Sequence, residues 1–290
     1  MKLKVLKDQP FLIKLVKKSI LTDFALCNNA YYRRDPYRYK DILGYYWTKS
    51  YYNNYIYFIN NYGCSSLTEY HQNDGNAIRL TLPYDNLDIN KYVVNTNGDI
   101  KIIKYGMYPQ DVVGDAYIDF ILSEQRRCDA LRETGYTYTI NGSRGNYFTP
   151  QKLKVYTYEN NQYVDVPIKH IYRDNDFLYL SDGSPLRDNE SVFIKVSPVT
   201  WYVDELKKIL ISEKLLIANI PFSLDKNYDG NFEKTFIYEF INNYIKPEMF
   251  QNITPITTNT ITVSKERAYP HINERMQEIK RRVKKLQERR

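Results

Sequence analysis

A loop-rich α+β fold of short antiparallel strands with a few helices, plus a helix at the C-terminal end, follows from three features of this 290-residue sequence. First, Val192, Ile194 and Val196, then Val199, Trp201 and Val203, alternate at the start of the longest apolar-rich stretch, Phe193–Phe222. That period of two is the mark of a half-buried strand, with a break expected at Pro198. Second, short β-branched and aromatic runs recur between polar turns. Third, helical apolar spacing is confined to a few segments, the clearest being Ala116–Arg132, Phe232–Tyr244 and the last twenty residues.

In chain order, residues 1–20 read as a basic N-terminal segment: a short strand at Leu3 and Val5, a stop at Pro10, then an amphipathic run with Leu12, Leu15, Val16 and Ile20 on one side. Residues 21–95 are tyrosine-rich, with twelve tyrosines from Tyr31 to Tyr70, and read as short strands including Tyr45–Ser50, Tyr55–Ile59 and Ala77–Leu82. Asn95–Asp99 reads as a turn and as the boundary to a second α+β module, residues 96–251.

That module opens with a strand at Ile100–Tyr105 ending at Gly106. A helix at Ala116–Arg132 should bury Tyr117, Phe120, Ile121 and Leu131. Strands follow at Tyr136–Ile140, Val155–Tyr158 and Tyr163–Ile168, the last two joined by the turn Glu159-Asn160-Asn161. Beyond the central stretch, with a tight turn at Asp204-Glu205, Phe232–Tyr244 reads as a helix that buries Phe236, Ile237, Phe240 and Ile241 and ends at Pro247. Residues 252–290 read as a Thr/Asn-rich linker and a basic amphipathic helix. Ile272, Met276, Ile279, Val283 and Leu286 lie at alternating spacings of four and three, a seam suited to another copy, another protein or the chain's own body.

Charge is distributed unevenly. The net charge is +7, yet residues 1–20 carry six lysines against Asp8, and residues 271–290 carry eight Lys/Arg against Glu274, Glu278 and Glu288. Each end is therefore +5, which leaves −3 for residues 21–270. A mildly acidic body with basic ends argues against a nucleic-acid groove across the body and for terminal docking elements. No 18-residue apolar run and no signal-peptide pattern is present, so neither a membrane span nor secretion is expected.

Motifs of known chemistry are scarce. Cys27, Cys64 and Cys128 are odd in number and lack metal-site spacing. His71, His170 and His271 are far apart. Asp225, Asn227 and Asp229 before Gly230 match the opening of a calcium loop, but its twelfth position is Phe236 instead of glutamate; a polar turn before a helix explains the same residues. Arg126, Arg127, Arg33, Arg34 and Asp35 could form a charged site or solvated faces. No cofactor is expected.

The abundance of tyrosine, 30 residues against 12 phenylalanines and 2 tryptophans, fits either compositional bias or an aromatic binding face. For such a face the candidates are Tyr45, Tyr46, Trp47, Tyr51, Tyr52 and Tyr55.

Several pieces carry a resemblance. Tyr105-Gly-Met-Tyr-Pro-Gln110, Thr134-Gly-Tyr-Thr-Tyr-Thr139, Tyr163-Val-Asp-Val166, Val196-Ser-Pro-Val-Thr-Trp-Tyr-Val-Asp204 and Tyr228-Asp-Gly-Asn-Phe-Glu233 resemble an uncharacterised domain family of bacteria and their phages. That family is similar in layout to C-type-lectin-like domains and to formylglycine-generating (sulfatase-modifying) enzymes. Tyr46-Trp-Thr-Lys-Ser50 and Ala77-Ile-Arg-Leu-Thr-Leu82 resemble the closing part of the module but come first, which leaves two partial modules in tandem or a permuted module open.

The resemblance implies a C-type-lectin-like body that displays variable surfaces. It implies no catalysis, because the three cysteines sit in no motif matching the enzymes' paired active-site cysteines. The leading expectation is a non-enzymatic structural or surface-binding component of a phage or prophage particle, located in the virion or the bacterial cytoplasm and docked to protein partners, possibly copies of itself. A bacterial carbohydrate- or peptide-binding module, with a glycan as possible ligand, and an enzyme with a noncanonical site are the alternatives.

Overall fold

The computed structural model describes residues 20–28, 30, 32–34, 42–52, 55–59, 65–69, 76–85, 87–128, 135–141, 149–169, 178–187, 189–223 and 230–251. They form a mixed α+β fold with mostly antiparallel sheets and few helices. Helix α1 (Asp23–Cys27) is a short buried helix capped by Thr22, whose Oγ1 accepts the Ala25 N–H at 3.1 Å. Strands β1 (Tyr32–Arg34) and β2 (Ile42–Gly44) pair with each other, and β3 (Tyr46–Tyr52), β4 (Tyr55–Ile59) and β5 (Ser65–Glu69) form a three-stranded antiparallel sheet.

The main sheet has eight strands: β6 (Thr81–Pro83), β7 (Val93–Asn97), β8 (Ile100–Val112), β9 (Gly135–Asn141), β10 (Thr149–Tyr158), β11 (Asn161–Pro167), β12 (Ser191–Asp204) and β13 (Ile209–Ser212). β12 is its axis. One side of β12 pairs with β8, which in turn carries β7. The other side pairs first with β11, followed outward by β10 and β9, and then with β13, followed by β6. With 13 residues in β8 and 14 in β12, the two central strands are long rather than short.

Pro198 does not break β12. The ladder with β8 shifts register between Ile194 and Val196 and again between Pro198 and Thr200. At each shift β8 advances three residues against two of β12, so the extra residue of the bulge lies on β8. Within β12, Ile194 and Val196 face the main core before Pro198, and Val199, Trp201 and Val203 face it afterwards. The Gln110 side chain donates from Nε2 to the carbonyls of Ser197 and Pro198, both at 3.0 Å, and satisfies acceptors where the regular ladder is interrupted. The alternation in the sequence thus already contained the change of phase.

Gly106 likewise lies within β8 instead of ending it. Its φ is +71°, and a Cβ there would come within 2.8 Å of Met249 Cγ and of Phe250 Cε1. Glycine supplies both the left-handed backbone and the clearance that lets the late helix lie against β8.

That late helix begins with a 3₁₀ turn at Phe232–Lys234. It continues as α3 (Phe236–Phe240), a π turn at Ile241–Ile245, and α4 (Lys246–Gln251). It therefore passes through Pro247 rather than ending there. Proline has no N–H and its ring crowds the preceding turn, and the wider π turn just before it accommodates both. Ile237, Phe240, Ile245 and Met249 are buried, whereas Phe236 and Ile241 are only partly so.

Helix α2 (Ala116–Cys128) buries Ile121 and Leu122, while Tyr117 and Phe120 remain half-buried and Leu131 lies outside the described residues. Leu122 packs with Tyr156, Tyr163 and Phe193 on the reverse face of the sheet. The β10–β11 turn forms where the sequence placed it, with Glu159 and Asn160 at φ 45° and 62°.

The expected division between residues 95 and 96 falls inside the β7–β8 hairpin. Trp47, Ile78, Leu80 and Tyr84 from one side of it share the main core with Ile103, Trp201 and Phe240 from the other. Burial of one continuous apolar face joins the two segments. Leu215–Phe222, buried although not a regular strand, ties them further: Ile217 O accepts the Ile78 N–H at 3.0 Å, and Ile220 O accepts the Trp47 indole N–H at 2.7 Å.

Candidate functional site

The aromatic candidates separate by burial. Tyr46 and Trp47 are 8% and 6% exposed and belong to the core, not to a ligand-binding face. Tyr46 lies under the buried Arg79 guanidinium, 5.1 Å from its ring centroid, and burial raises its phenol pKa while the arginine opposes the shift. Trp47 packs edge-on against Phe222 at 5.9 Å. The polar tips of these rings are used inside the fold, which is the other use of an amphipathic aromatic. Tyr45 is half-buried against Phe58. Tyr51, Tyr52 and Tyr55 take part in the β3–β4 pairing, and their side chains lie outside the described residues.

Asp225, Asn227 and Asp229, the three histidines, and Ile272, Met276, Ile279, Val283 and Leu286 also lie outside them. Arg126 pairs with Asp165 at 3.1 Å, and Arg127 with Glu124 at 2.6 Å. These arginines support the fold locally and do not converge on a shared site. The Cys27 thiol is fully buried, and burial pushes its pKa well above the usual value, with Asp23 and Asp182 adding to the effect; it is a core residue. Among the described residues no group of three or more His, Cys, Asp and Glu could hold a metal ion, and no helix is long and apolar enough to cross a membrane.

A recess of about 20 Å³ lies between the end of β8, the start of α2 and the 182–184 turn. Its size suits a water molecule better than a substrate. Its carboxylates are engaged locally: Asp115 Oδ1 accepts the Tyr117 N–H at 2.9 Å, and Asp182 Oδ1 accepts the Ser184 N–H at 2.8 Å. Behind it, Asp23 is 4% exposed and accepts from Val112 N–H at 2.9 Å, Ser181 N–H at 3.0 Å and Ser181 Oγ–H at 2.5 Å. Burial pushes its pKa up to about 6 despite these bonds, with Asp111 adding to the rise. This carboxyl ties α1 to β8 and to the 181 turn.

The surface best suited to recognition is one that the sequence had read as a turn. Ile89 anchors the 3₁₀ turn Ile89–Tyr92 in the core, and Tyr92 packs edge-on against Tyr105 at 4.9 Å. The chain then enters β7, all five of whose residues are exposed. Val93 is 36% and Val94 55% exposed. Gly98, at φ +60°, and Asp99 close the hairpin, with Asn97 opposite Ile100.

Among the described residues β7 pairs with β8 alone, so it is an edge strand. Val93-Val94-Asn95-Thr96-Asn97 contains neither a charge nor a proline, two of the devices that commonly protect an edge, and carries a bulge at Val94, where β7 advances two residues against one of β8. Asn95, Thr96 and Asn97 obscured the strand in the sequence because these residues also favour turns. The available signal was a β-branched pair followed by a two-residue Gly-Asp loop and an apolar strand. Comparison with family models, curated proteins and solved structures finds no match.

Proposed function

We propose that this chain is a non-enzymatic structural or surface-binding component of a phage or prophage particle, docked to its assembly through the edge of β7. The observation that carries the reading is an exposed, uncharged edge strand with Val93 and Val94 at its start. Such an edge offers main-chain donors and acceptors to an incoming strand, while the valines supply apolar contact. In this reading the body is the C-type-lectin-like module that the sequence resembles, and the edge of the sheet is its attachment.

Val94→Lys tests this. A lysine on the strand places a charge that docking would desolvate, so incorporation into density-purified particles should fall by about tenfold or more, equivalent to about 1.4 kcal/mol, while the far-ultraviolet circular dichroism stays unchanged. Equal incorporation of wild type and variant, or absence of the wild-type chain from particles, would refute the reading.

A further inference from the structure

We infer that residues 11–19 of this chain form an amphipathic helix that lies across the reverse face of the main sheet, over Ile100, Ile102, Tyr202, Ile209 and Ile211. The inference is independent of the docking role of β7. These five side chains form a cluster of their own, contributed entirely by β8, β12 and β13; among the described residues no apolar side chain from outside the sheet joins it. Helix α2 packs farther along this face, with Tyr156, Tyr163 and Phe193. Yet Ile100, Tyr202 and Ile211 are 6%, 7% and 6% exposed, whereas Thr81 and Pro83, beside Ile211 and Ile209 at the rim, are exposed. An apolar sheet face is stable only against a second layer.

The N-terminal segment enters beside this face. Leu215 N–H donates to Ile20 O at 2.8 Å, Thr22 N–H donates to Leu215 O at 3.2 Å, and the Leu21–Leu215 bridge is parallel. Because the two segments run the same way, the residues before Ile20 come from the side of Glu213 and β13. The Tyr202 hydroxyl bonds to Glu213 Oε1 at 3.2 Å, which puts that entry at the margin of the cluster. Residues 11–19 therefore reach it without a linker, whereas twenty residues separate the 272–286 seam from Gln251.

The segment's pattern fits the face. At about 100° per residue, Phe11, Leu12, Ile13, Leu15 and Val16 fall on one side and Lys14, Lys17 and Lys18 on the other. Pro10, just before it, suits the first turn of a helix. Nine helical residues rise about 14 Å, and the three strands of the cluster span about 10 Å. The three lysines also oppose the −3 net charge of residues 21–270.

Photo-cross-linking of the full chain tests the placement. With p-benzoylphenylalanine in place of Leu15, adducts should form within one chain to peptides containing residues 100–102 or 209–211. The same group in place of Lys17 should not form them. Adducts that map elsewhere or join two chains, or equal yields from the two positions, would overturn the inference.

An introduced thiol reads the size of the effect. In the Ile209→Cys chain, maleimide labelling at position 209 should speed up by about tenfold or more when Leu12→Asp and Leu15→Asp are added, while the fully buried Cys27 stays unreactive. Labelling at 209 that is indifferent to these changes, with Cys27 still protected, would contradict the cover. If Cys27 reacts as well, the added charges have unfolded the chain and the cross-link alone decides.

Discussion

Replacing Trp201 with alanine should cost about 3–5 kcal/mol of unfolding free energy, the range for removing a large aromatic from a packed core. Trp201 is 1% exposed and lies just past the second register shift between β12 and β8, where the strand is flanked by β8 and β13. Its indole N–H donates to Tyr105 O at 2.7 Å. The alanine variant loses both the apolar contact and that bond.

Trp201→Phe separates the two contributions. It keeps most of the packing but leaves the Tyr105 carbonyl without this donor, so about 1–3 kcal/mol should be lost. Urea unfolding of the three proteins reads the difference. A loss below about 1 kcal/mol for the alanine variant would show that β12 is not the axis of the core.

The second large effect is a pH dependence set by Asp23. Its carboxyl titrates near 3.8 when unfolded and at about 6 in the fold, so the folded chain binds the proton more tightly between these values. The stabilisation is fully present below pH 3.8 and is lost as pH rises through about 6. The difference corresponds to about 3 kcal/mol, at 1.36 kcal/mol per pH unit.

Asp23→Asn removes the titration. Its amide can donate to Ser181 Oγ, but it also turns a donor toward the Val112 N–H that the carboxylate accepted. The aspartate protein should therefore be the more stable of the two near pH 4, and its advantage should shrink or reverse by pH 7. Urea unfolding of both proteins across this range measures it, and a stability difference that stays constant with pH would contradict the buried, raised carboxyl.

Much of the sheet was legible because alternation reports burial directly. The phase change between Val196 and Val199 marked where β12 turns its other set of side chains to the core, and the polar residues at Glu159-Asn160 marked the β10–β11 turn. What misled was the treatment of Pro198, Pro247 and Gly106 as terminators. Local preference is overridden where a neighbour accommodates the exception: Gln110 serves the carbonyls at Pro198, a π turn widens the helix before Pro247, and α4 needs the bare backbone at Gly106.

The candidate site was harder to read for related reasons. A tyrosine or tryptophan suits a core and a binding face equally, and only the tertiary partners, Arg79 for Tyr46 and Ile220 O for Trp47, show which. In β7, Asn95, Thr96 and Asn97 have the composition of a turn and the pairing of a strand. No local pattern states that a strand will lie at an edge, because edge position depends on which segments pair elsewhere in the chain.

The docking role of β7 is tested most directly by amide hydrogen exchange over Val93–Asn97, in the dilute chain and in the assembled state. Strand pairing should slow exchange of outward-facing amides in this segment by about tenfold or more on assembly. Unchanged exchange in β7, with new protection elsewhere in the chain, would contradict it.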